Sequence, residues 1–544
     1  MVAKGNPVQV ADAIQEVGTR NQDLKDSEIA QFFANRNVLV TGGSGFLGKL
    51  LVEKLLRSCP NIKKLYMLIR AKKGKSPGAR FKEHFEDALY DRLKKEQPRF
   101  VERVVMVEGD VGEKSLGLSD DNLKALLDID IVFHSAATVN FHDTMRRSVN
   151  VNIRGTKQLL LFARNMINLK AFVHVSTAFS QCATIDIEEK FYKPPLDSDK
   201  LMELVDILDD DMLSRMAPIL IKGCPNTYIF TKAVGEDVAR RYGNGLPVCV
   251  VRPSIVTSTA QDPVPGWTNN LNGATGIVFG AAIGILRTLH CNSTNKADIV
   301  PADFVINGII AAAWDIAESK DKNANTVITT TETADSRVDE PLIYNCVSSP
   351  RNPITWAEFM EKNEVNLFPI PSISIMWYYC FTLNSYWWMN TIYTFFLHLI
   401  PAVIVDSLAY ITGRQPMLLT TYKKIHKFSD VISHFANNEW RFSDNNFANL
   451  WWKLSPIDQD IFFFNIKNLN WDEYFFNHAS GMRTYLFKDV PSTLTSARVK
   501  LTRLKIAHYT IMGLMLILVA LLFTYLLSYF ISWYPAQTID HELW

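Results

Sequence analysis

The chain has 544 residues, of which 48% are hydrophobic and 21% are charged, with 57 Lys and Arg against 56 Asp and Glu. This composition supplies a large apolar core and excludes a wholly disordered or collagen-like chain. The neutral balance excludes a nucleic-acid protein that works through a general basic field. A mean hydropathy of +0.01 is high for a soluble protein and low for a polytopic membrane protein.

The N-terminal part of the chain is polar. Residues 1–26 lack the apolar segment of a secretory signal peptide, and we assign 1–35 to an N-terminal extension. The seven cysteines are scattered and form no C-x-x-C pair. They therefore predict neither a disulfide framework nor a zinc site, and no metal is expected.

Short apolar runs alternate with helical runs from residue 37 onward. Continuous apolar runs are typical of strands buried on both faces, and strand–helix alternation predicts right-handed βαβ units. We therefore predict an α/β fold with a doubly wound parallel sheet over residues 36–355. Strands are predicted at 37–41, 64–69, 103–107, 129–134, 171–176 and 247–251, and helices at 46–57, 76–95, 120–127, 147–166 and 226–242.

An acidic insertion of over 40 residues separates the fifth strand from the helix at 226–242. It contains a predicted helix at 197–216, and its length is typical of a lid or a substrate wall. A mostly helical second domain is predicted over residues 356–490.

Within that second domain, the apolar aromatic stretch 365–405 has no Asp, Glu, Lys or Arg. A single membrane crossing there would put the basic residues of 406–505 on the far side. An interfacial patch, a re-entrant hairpin or a buried aromatic substrate tunnel fits better.

The last apolar segment is long enough to cross a bilayer. Residues 506–539 contain no Asp, Glu, Lys or Arg. Their apolar core, 509–531, would be about 34 Å long as a helix at 1.5 Å per residue. We predict a transmembrane anchor at 507–533 and a short tail at 534–544. The alternative is a buried helix of a large soluble core.

The residues that flank this anchor predict its orientation. Arg498, Lys500, Arg503 and Lys505 precede it, and no Lys or Arg follows it. The positive-inside rule then leaves the N-terminal body in the cytosol and the tail on the far side. The membrane is expected to be the endoplasmic reticulum, with peroxisome and lipid droplet as alternatives that the flanks do not separate. Tyr509, Trp533 and Tyr534 lie at the ends, where interfacial aromatic residues occur.

A glycine-rich loop joins the first predicted strand to the helix that follows. It reads Thr41-Gly-Gly-Ser-Gly-Phe-Leu-Gly48. Such a loop gives a tight turn, lets the backbone approach a pyrophosphate and presents a helix N-terminus to it. A simple turn is the alternative. The predicted dinucleotide-binding residues here are Thr41, Gly42, Gly45, Phe46, Leu47 and Gly48.

The ends of the next strands extend this prediction. Arg70 follows the second strand, where an NAD-binding site usually has an acidic residue, and its planar fork suits the 2′-phosphate of NADPH. A solvated basic loop is the alternative. Asp110 and Val111 follow the third strand and are expected near the adenine, and Ala136 lets the backbone line the cofactor. Asn152 is expected to hold the sheet or a water relay.

Tyr228 and Lys232 are four residues apart and therefore share one helix face. A nearby ammonium lowers the pKa of a phenol and can also hold the nicotinamide ribose. The phenol can then give a proton to a carbonyl oxygen as hydride reaches the carbon. Ser176 and Thr177 can polarise the same carbonyl, and the run Arg252-Pro253-Ser254 is expected beside the nicotinamide. A surface helix is the alternative for the Tyr–Lys pair.

Together these residues resemble the extended short-chain dehydrogenase/reductase family, over about residues 37–350. Several runs resemble the alcohol-forming fatty acyl-CoA reductases of animals, especially insects, and Gly481-Met-Arg-Thr-Tyr-Leu486 resembles the second domain of that family. The runs that resemble the reductase part of that family are Thr41–Gly48 continuing to Lys49-Leu-Leu-Val-Glu-Lys-Leu-Leu-Arg-Ser-Cys-Pro60, Met67-Leu-Ile-Arg70, His134-Ser-Ala-Ala137, His174-Val-Ser-Thr-Ala-Phe-Ser180, Pro225-Asn-Thr-Tyr-Ile-Phe-Thr-Lys232 and Arg252-Pro-Ser-Ile-Val256.

The resemblance implies a four-electron reduction of a long-chain fatty acyl-CoA to a fatty alcohol at a membrane surface, with two NADPH consumed and CoA released. It implies Tyr228 and Lys232 as the catalytic pair, with Thr177 or Ser176 as the third hydroxyl. The expected partners are the acyl-CoA and membrane lipid, without nucleic acid or metal, and a homodimer is left open. The alternatives are another membrane-bound member of the superfamily acting on a lipid or sterol, and a non-enzymatic NADP-binding scaffold.

Overall fold

A computed structural model describes residues 23–141, 143–327 and 340–539. Its centre is a seven-stranded parallel sheet with the strand order β11-β7-β5-β4-β1-β2-β3, which confirms the predicted α/β fold. The strands are β1 (Asn37–Thr41), β2 (Lys64–Ile69), β3 (Val104–Glu108), β4 (Ile131–His134), β5 (Ala171–Val175), β6 (Asp186–Ile187), β7 (Val248–Pro253), β8 (Ile255–Thr257), β9 (Thr288–His290), β10 (Ile299–Pro301), β11 (Leu342–Cys346), β12 (Thr382–Asn384) and β13 (Arg441–Phe442).

The central strands are buried on both faces, as their continuous apolar sequences predict. Every residue of β1, β4, β5 and β7 is buried. The chain order reverses between β1 and β4, whose registers align Val40 with Phe133. In an open α/β sheet, such a reversal opens a crevice at the carboxyl ends of the strands.

Helices cover both faces of the sheet and also build residues 356–490, which we call the second region. They are α1 (Glu28–Phe33), α2 (Phe46–Ser58), α3 (Pro77–His84), α4 (Asp91–Glu96), α5 (Asp120–Ala125), α6 (Met145–Val149), α7 (Gly155–Ala163), α8 (Ser198–Ile207), α9 (Asp210–Leu220), α10 (Thr227–Gly243), α11 (Ala274–Ala282), α12 (Ala302–Val327), α13 (Trp356–Leu367), α14 (Trp387–Thr394), α15 (Ile400–Ile411), α16 (Leu418–Asn437), α17 (Asn445–Lys453), α18 (Pro456–Ile461), α19 (Trp471–Gly481) and α20 (Leu494–Ile539).

Three predicted helices differ from the structure. The helix predicted at 76–95 is broken into α3 and α4, with a short turn at Ala88–Tyr90 whose N-cap is Asp87. The helix predicted at 197–216 is also two helices, since the first ends at Ile207 with Leu208 as its C-cap and Asp209 then caps the second. The helix predicted at 147–166 begins earlier, at Met145, and contains a π-helical turn at Asn150–Arg154.

Most of the insertion after β5 lies away from the main cleft. Of its described residues, only Ser176, Thr177 and Phe179, next to the strand end, line that cleft. Its two helices are instead tied to the outer helices of the sheet domain by ion pairs, such as Arg146 with Asp210 and Arg154 with Asp206. The helices α8 and α9 therefore lie outside the cleft lining, and a lid or substrate wall in the insertion stays a prediction.

The second region packs onto the first through short parallel strand pairs, β13 with β6 and β12 with β9. The backbones of the two regions are in direct contact where Gly481 crosses Gly266. A Cβ on Gly481 would lie 1.8 Å from the carbonyl oxygen of Gly266, so a side chain there would force the segments apart. The glycine of the Gly481–Leu486 run is thus required by packing.

The structure contains the long apolar C-terminal helix that the sequence predicts. Two described helices, Trp387–Ile411 and Pro491–Ile531, are long and apolar enough to cross a membrane by length and composition. In the second, none of the most apolar window is buried. Residues 1–22 of the predicted extension, residues 540–544 of the tail and the side chains of Trp533 and Tyr534 lie outside the described residues.

Candidate active site

A cleft of about 720 Å³ opens at the carboxyl ends of the sheet strands, at the reversal between β1 and β4. Most of the residues predicted for the site meet in it, although they come from widely separated parts of the chain. The predicted residues that line the cleft are Gly42, Gly45, Phe46, Leu47, Gly48, Arg70, Asp110, Val111, Ala136, Ser176, Thr177, Tyr228 and Pro253.

The glycine loop has no room for side chains at two positions. Gly42 has a φ of +75°, and a Cβ on it would lie 2.7 Å from the backbone nitrogen of Ala136. A Cβ on Gly48 would lie 2.1 Å from the carbonyl oxygen of Gly42. Gly45 caps α2 without a side chain, so the helix N-terminus faces the cleft with its backbone N–H groups. This cradle fits a dinucleotide pyrophosphate.

Thr41 does not reach the cleft, contrary to its predicted role in cofactor binding. It is fully buried, and its hydroxyl bonds His134 Nδ1 at 2.8 Å and accepts from the backbone nitrogen of Ala136 at 3.3 Å. The Thr41 hydroxyl therefore holds the carboxyl end of β4 against the start of the glycine loop.

Basic side chains gather at one mouth of the cleft. Arg70 forms an ion pair with Asp110 at 3.2 Å. Arg80 donates to Ser44 Oγ at 2.8 Å and to the carbonyl oxygen of Arg70. Burial, and then the charges of Arg70 and Arg80, lower the pKa of Lys72. Three cations here, Arg70, Lys72 and Arg80, outnumber the carboxylates of Asp110 and Glu83 that face them, and this leaves a net positive charge that suits an anion.

Tyr228 and Lys232 lie on α10, whose start is fixed by Asn226 as it accepts from the backbone nitrogen of Ile229. Tyr228 lines the cleft. Lys232 lies beneath the cleft floor and donates to the carbonyl oxygen of Val175 at 2.7 Å. Burial raises the pKa of Tyr228 and lowers the pKa of Lys232 to about 8. The predicted lowering of the phenol pKa by Lys232 is therefore wrong for the free protein, because the ammonium bonds the strand end instead.

The two candidate hydroxyls at the end of β5 have different partners. Ser176 donates to Glu236 Oε1 at 2.5 Å. Thr177 Oγ1 accepts from the backbone nitrogen of Phe179 at 3.3 Å, a contact that does not use the hydroxyl proton. The proton of Thr177 can therefore serve a ligand in the cleft, whereas the proton of Ser176 is held by a carboxylate.

Glu236 is a site residue that the sequence analysis missed. It lies one helical turn after Lys232, is 1% exposed and accepts from Ser176, from Ser180 at 2.8 Å and from Gln181 at 2.9 Å. The fully buried Arg252 forms a two-point ion pair with it, at 2.9 and 2.6 Å. Arg252 was predicted beside the nicotinamide, but it does not line the cleft and supports the strand end from behind it. The available signal was a Glu four residues after Lys232, on the same helix face.

Asn152 holds the sheet domain together, one of its two predicted roles. Its Oδ1 accepts from the backbone nitrogen of Thr138 at 2.9 Å, and its Nδ2 donates to Thr231 Oγ1 at 2.9 Å. It joins the loop after β4 to the helix that carries Tyr228.

The second region also lines the cleft, through Trp356, Ile432 and Phe435. No local pattern in the sequence places these side chains, because α13 and α16 reach the cleft only through tertiary packing. They make this part of the wall apolar.

Two family models, both described as Male sterility protein, match residues 40–309 and 397–489. Fatty acyl-CoA reductase wat of Drosophila melanogaster is 36% identical over 500 residues, covering 92% of this chain and 93% of its own length. The chain belongs to the fatty acyl-CoA reductase family. Fatty acyl-CoA reductase 1 of Gallus gallus is also 36% identical, with 90% and 92% of the two chains covered.

Solved structures support the fold of this member of the family. The reductase domain of a nonribosomal peptide synthetase from Mycobacterium tuberculosis has a TM-score of 0.53 at 18% identity, over 86% of this chain and 96% of its own. The terminal R domain of the myxalamid biosynthetic pathway has a TM-score of 0.50 at 18% identity, over 84% and 92%. As a member of its family, the chain is an oxidoreductase with an NAD(P)-binding domain.

Proposed function

We propose that this protein uses NADPH to reduce a long-chain fatty acyl-CoA to a fatty alcohol by four electrons, with release of CoA, at a membrane surface. The observation that carries the proposal is the arrangement of Tyr228, Lys232 and Thr177 around one cleft with a dinucleotide cradle. The relatives named above supply the substrate class. We also infer a reductase domain at 36–355, a second domain at 356–490 and an anchor at 507–533.

The residues present fit NADPH. Gly42 and Gly48 would hold the pyrophosphate, and Arg70, with Lys72 and Arg80 close by, would pair with a 2′-phosphate. When bound, NADPH supplies a hydride for each two-electron reduction.

The side chains of the cleft would supply the protons. Reduction of a thioester carbonyl leaves a developing negative charge on its oxygen, to which Tyr228 gives its phenolic proton while Thr177 donates a hydrogen bond. Loss of the CoA thiol from the hemithioacetal leaves an aldehyde, whose carbonyl needs the same two donors. Lys232, released from the Val175 carbonyl, would hold the ribose and stabilise the phenolate. One site can therefore serve both reductions.

The stoichiometry of the reaction tests this proposal. Purified full-length protein in detergent, given NADPH and palmitoyl-CoA, is expected to oxidise two NADPH for each CoA released and to form hexadecanol. One NADPH per CoA, with aldehyde accumulating, would limit the reaction to two electrons. No turnover on any acyl-CoA, with oxidation of a sterol instead, would support another lipid dehydrogenase.

The substitution Arg70→Glu tests the choice of cofactor. It replaces a charge-assisted contact, worth about 1.5–3 kcal/mol, with a like-charge contact. NADPH affinity is therefore expected to fall by about 10- to 100-fold or more, while NADH affinity changes little. Titration of intrinsic fluorescence measures both. Equal losses for the two nucleotides would exclude a role at the 2′-phosphate.

The pH dependence of cofactor binding tests Lys232. Burial lowers its pKa from the ordinary 10.5 to about 8 in the folded protein, so the ammonium is present below about pH 8 and is lost as the pH rises. NADPH affinity of the free enzyme is expected to fall above pH 8, by up to about tenfold per pH unit. Lys232→Met should weaken binding and remove this alkaline limb. Lys72→Met should weaken binding but keep the limb; if Lys72→Met removes it instead, Lys72 is the titrating group.

A further inference from the structure

The helical segment Trp387–Ile411, made of α14, a π-helical turn and α15, has a wide apolar surface that the protein leaves uncovered. Only 17% of its most apolar window is buried. None of the described residues of 365–405 lines the active-site cleft, which argues against the predicted substrate tunnel. We call the following side chains the outer face, each of them more than half exposed: Trp387, Trp388, Phe396, Ile404, Leu408 and Ile411.

The opposite side of this segment is polar or small and is attached to the body. Asn390 Oδ1 accepts from Thr288 Oγ1 at 2.8 Å, and His398 Nε2 accepts from the backbone nitrogen of Arg287 at 2.9 Å. Further along, Ala402 is fully buried. These positions are spaced by four or eight residues and so form one stripe along the helix. The segment therefore lies along the body for most of its length.

Both ends of the segment return to the same body. Before it, β12 pairs with β9. Within the last turns of the segment, Asp406 accepts from the backbone nitrogens of Met417, Leu418 and Leu419 and so caps α16, the helix that follows. Further along α16, Tyr422 donates to the carbonyl oxygen of Ile285 at 2.9 Å. A helix that crossed a bilayer would have its two ends on opposite sides, which these attachments do not allow.

The chain leading into this segment touches the C-terminal anchor at the membrane entry. Trp377 Nε1 donates to His508 Nδ1 at 3.2 Å, and the rings of Tyr378 and Tyr509 are 5.9 Å apart. These contacts place the approach to the outer face at the level where the anchor begins. Exposed lysines lie close by on α16, at 423, 424 and 427, where they can meet anionic lipid headgroups.

We propose that the outer face inserts into the cytosolic leaflet beside the anchor, so that Trp387–Ile411 is an interfacial helix lying in the plane of the membrane. An apolar face on one side, a polar stripe on the other and basic residues nearby are the features of such helices. The body would then be held against the bilayer at two places. The inference rests on the anchor and on these contacts, and it is independent of the reaction catalysed.

Spin labelling of the full chain in vesicles of phosphatidylcholine and phosphatidylserine tests the depth of the outer face. A label on Ile404→Cys is expected to be accessible to oxygen and protected from a water-soluble nickel chelate. Ile167→Cys, whose parent side chain is 84% exposed on the reductase domain, is the matched control and should show the reverse. The unsubstituted chain, labelled in parallel, gives the background of the native cysteines. High nickel accessibility at Ile404 would overturn the proposal.

Two further readouts on the same vesicles separate the other arrangements. Arg414→Cys lies just beyond the segment and is expected to react with a membrane-impermeant maleimide added on the side of the body. Protection of Arg414→Cys until detergent is added would mean that the helix crosses the bilayer. Strong dipolar coupling between Ile404 labels on different copies would mean that a second chain covers the outer face. Either result would overturn the proposal.

Discussion

Replacing Tyr228 with Phe is expected to lower kcat by about 10²- to 10⁴-fold, the usual contribution of a positioned proton donor. The substitution removes one hydroxyl from a half-buried ring that lines the cleft and packs 5.9 Å from the ring of Phe141. Because the ring itself stays, NADPH affinity and thermal stability are expected to change little. Single-turnover reduction of palmitoyl-CoA and fluorescence titration of NADPH measure the two effects separately.

Tyr192→Phe is the matched control for this substitution. Tyr192 lies on the insertion after β5, outside the cleft, and donates to the carbonyl oxygen of Asp186. Removal of the Tyr192 hydroxyl should leave kcat unchanged. A Tyr228→Phe variant with an unchanged kcat would mean that a group other than this phenol donates the proton. Absence of acyl-CoA reduction by the unsubstituted protein is the result that would favour the non-enzymatic alternative. Thr177→Val should lower kcat as well, whereas Ser176→Ala should act mainly on stability, because Ser176 gives its proton to Glu236.

The sheet was predictable because parallel strands buried on both faces leave continuous apolar runs in the sequence. The boundaries of β1 and β2 match the prediction, and the parallel pairing of the strands follows from the βαβ pattern. The seventh strand, β11, was missed. It is a five-residue run that comes long after β7 in the chain, and it becomes recognisable only by its pairing with β7.

The helices that were predicted as single runs show that hydrophobic periodicity does not locate helix breaks or π-helical turns. Amphipathic spacing continues through 76–95, but the chain turns at Ala88–Tyr90, where Tyr90 is buried and bonds the carbonyl oxygen of Lys49. In the helix around Asn152, a π-helical turn contains this side chain, which bonds both Thr138 and Thr231. Tertiary contacts outweigh local spacing in both cases.

Site residues were predictable where the chemistry requires a local motif. The glycine loop and the Tyr–Lys pair each follow from spacing along one loop or one helix face. The fixed position of Thr177 does not follow from local spacing. It depends on Glu236 and Arg252, which are 16 residues apart and meet behind the cleft. Helix spacing places Glu236 on the same face as Lys232, but nothing in the sequence indicates that Glu236 pairs with Arg252, because that pairing depends on tertiary packing.

That buried pair is the basis of the second large effect. Glu236→Leu is expected to destabilise the protein by about 3–5 kcal/mol, the usual result of leaving one member of a buried ion pair unpaired. Burial alone would raise the pKa of Glu236, but Arg252 and the donated hydrogen bonds hold the pKa below its ordinary value. The carboxylate is therefore ionised at neutral pH, and its contribution to stability is lost as the pH falls through that lowered pKa.

A double variant separates the ion pair from the hydrogen bonds around it. Replacing both members, as Glu236→Leu with Arg252→Met, removes the unpaired charge and should recover most of the stability lost in either single variant. Activity should not recover with it, because Ser176, Ser180 and Gln181 still lose the acceptor that fixes the strand end beside Thr177. Thermal unfolding in detergent and kcat measure the two outcomes, and Glu102→Ala, at an exposed ion pair with Arg99, is the control that should change neither. Recovery of both together would mean that Glu236 only balances the charge of Arg252, whereas stability without activity assigns it the positioning of Thr177.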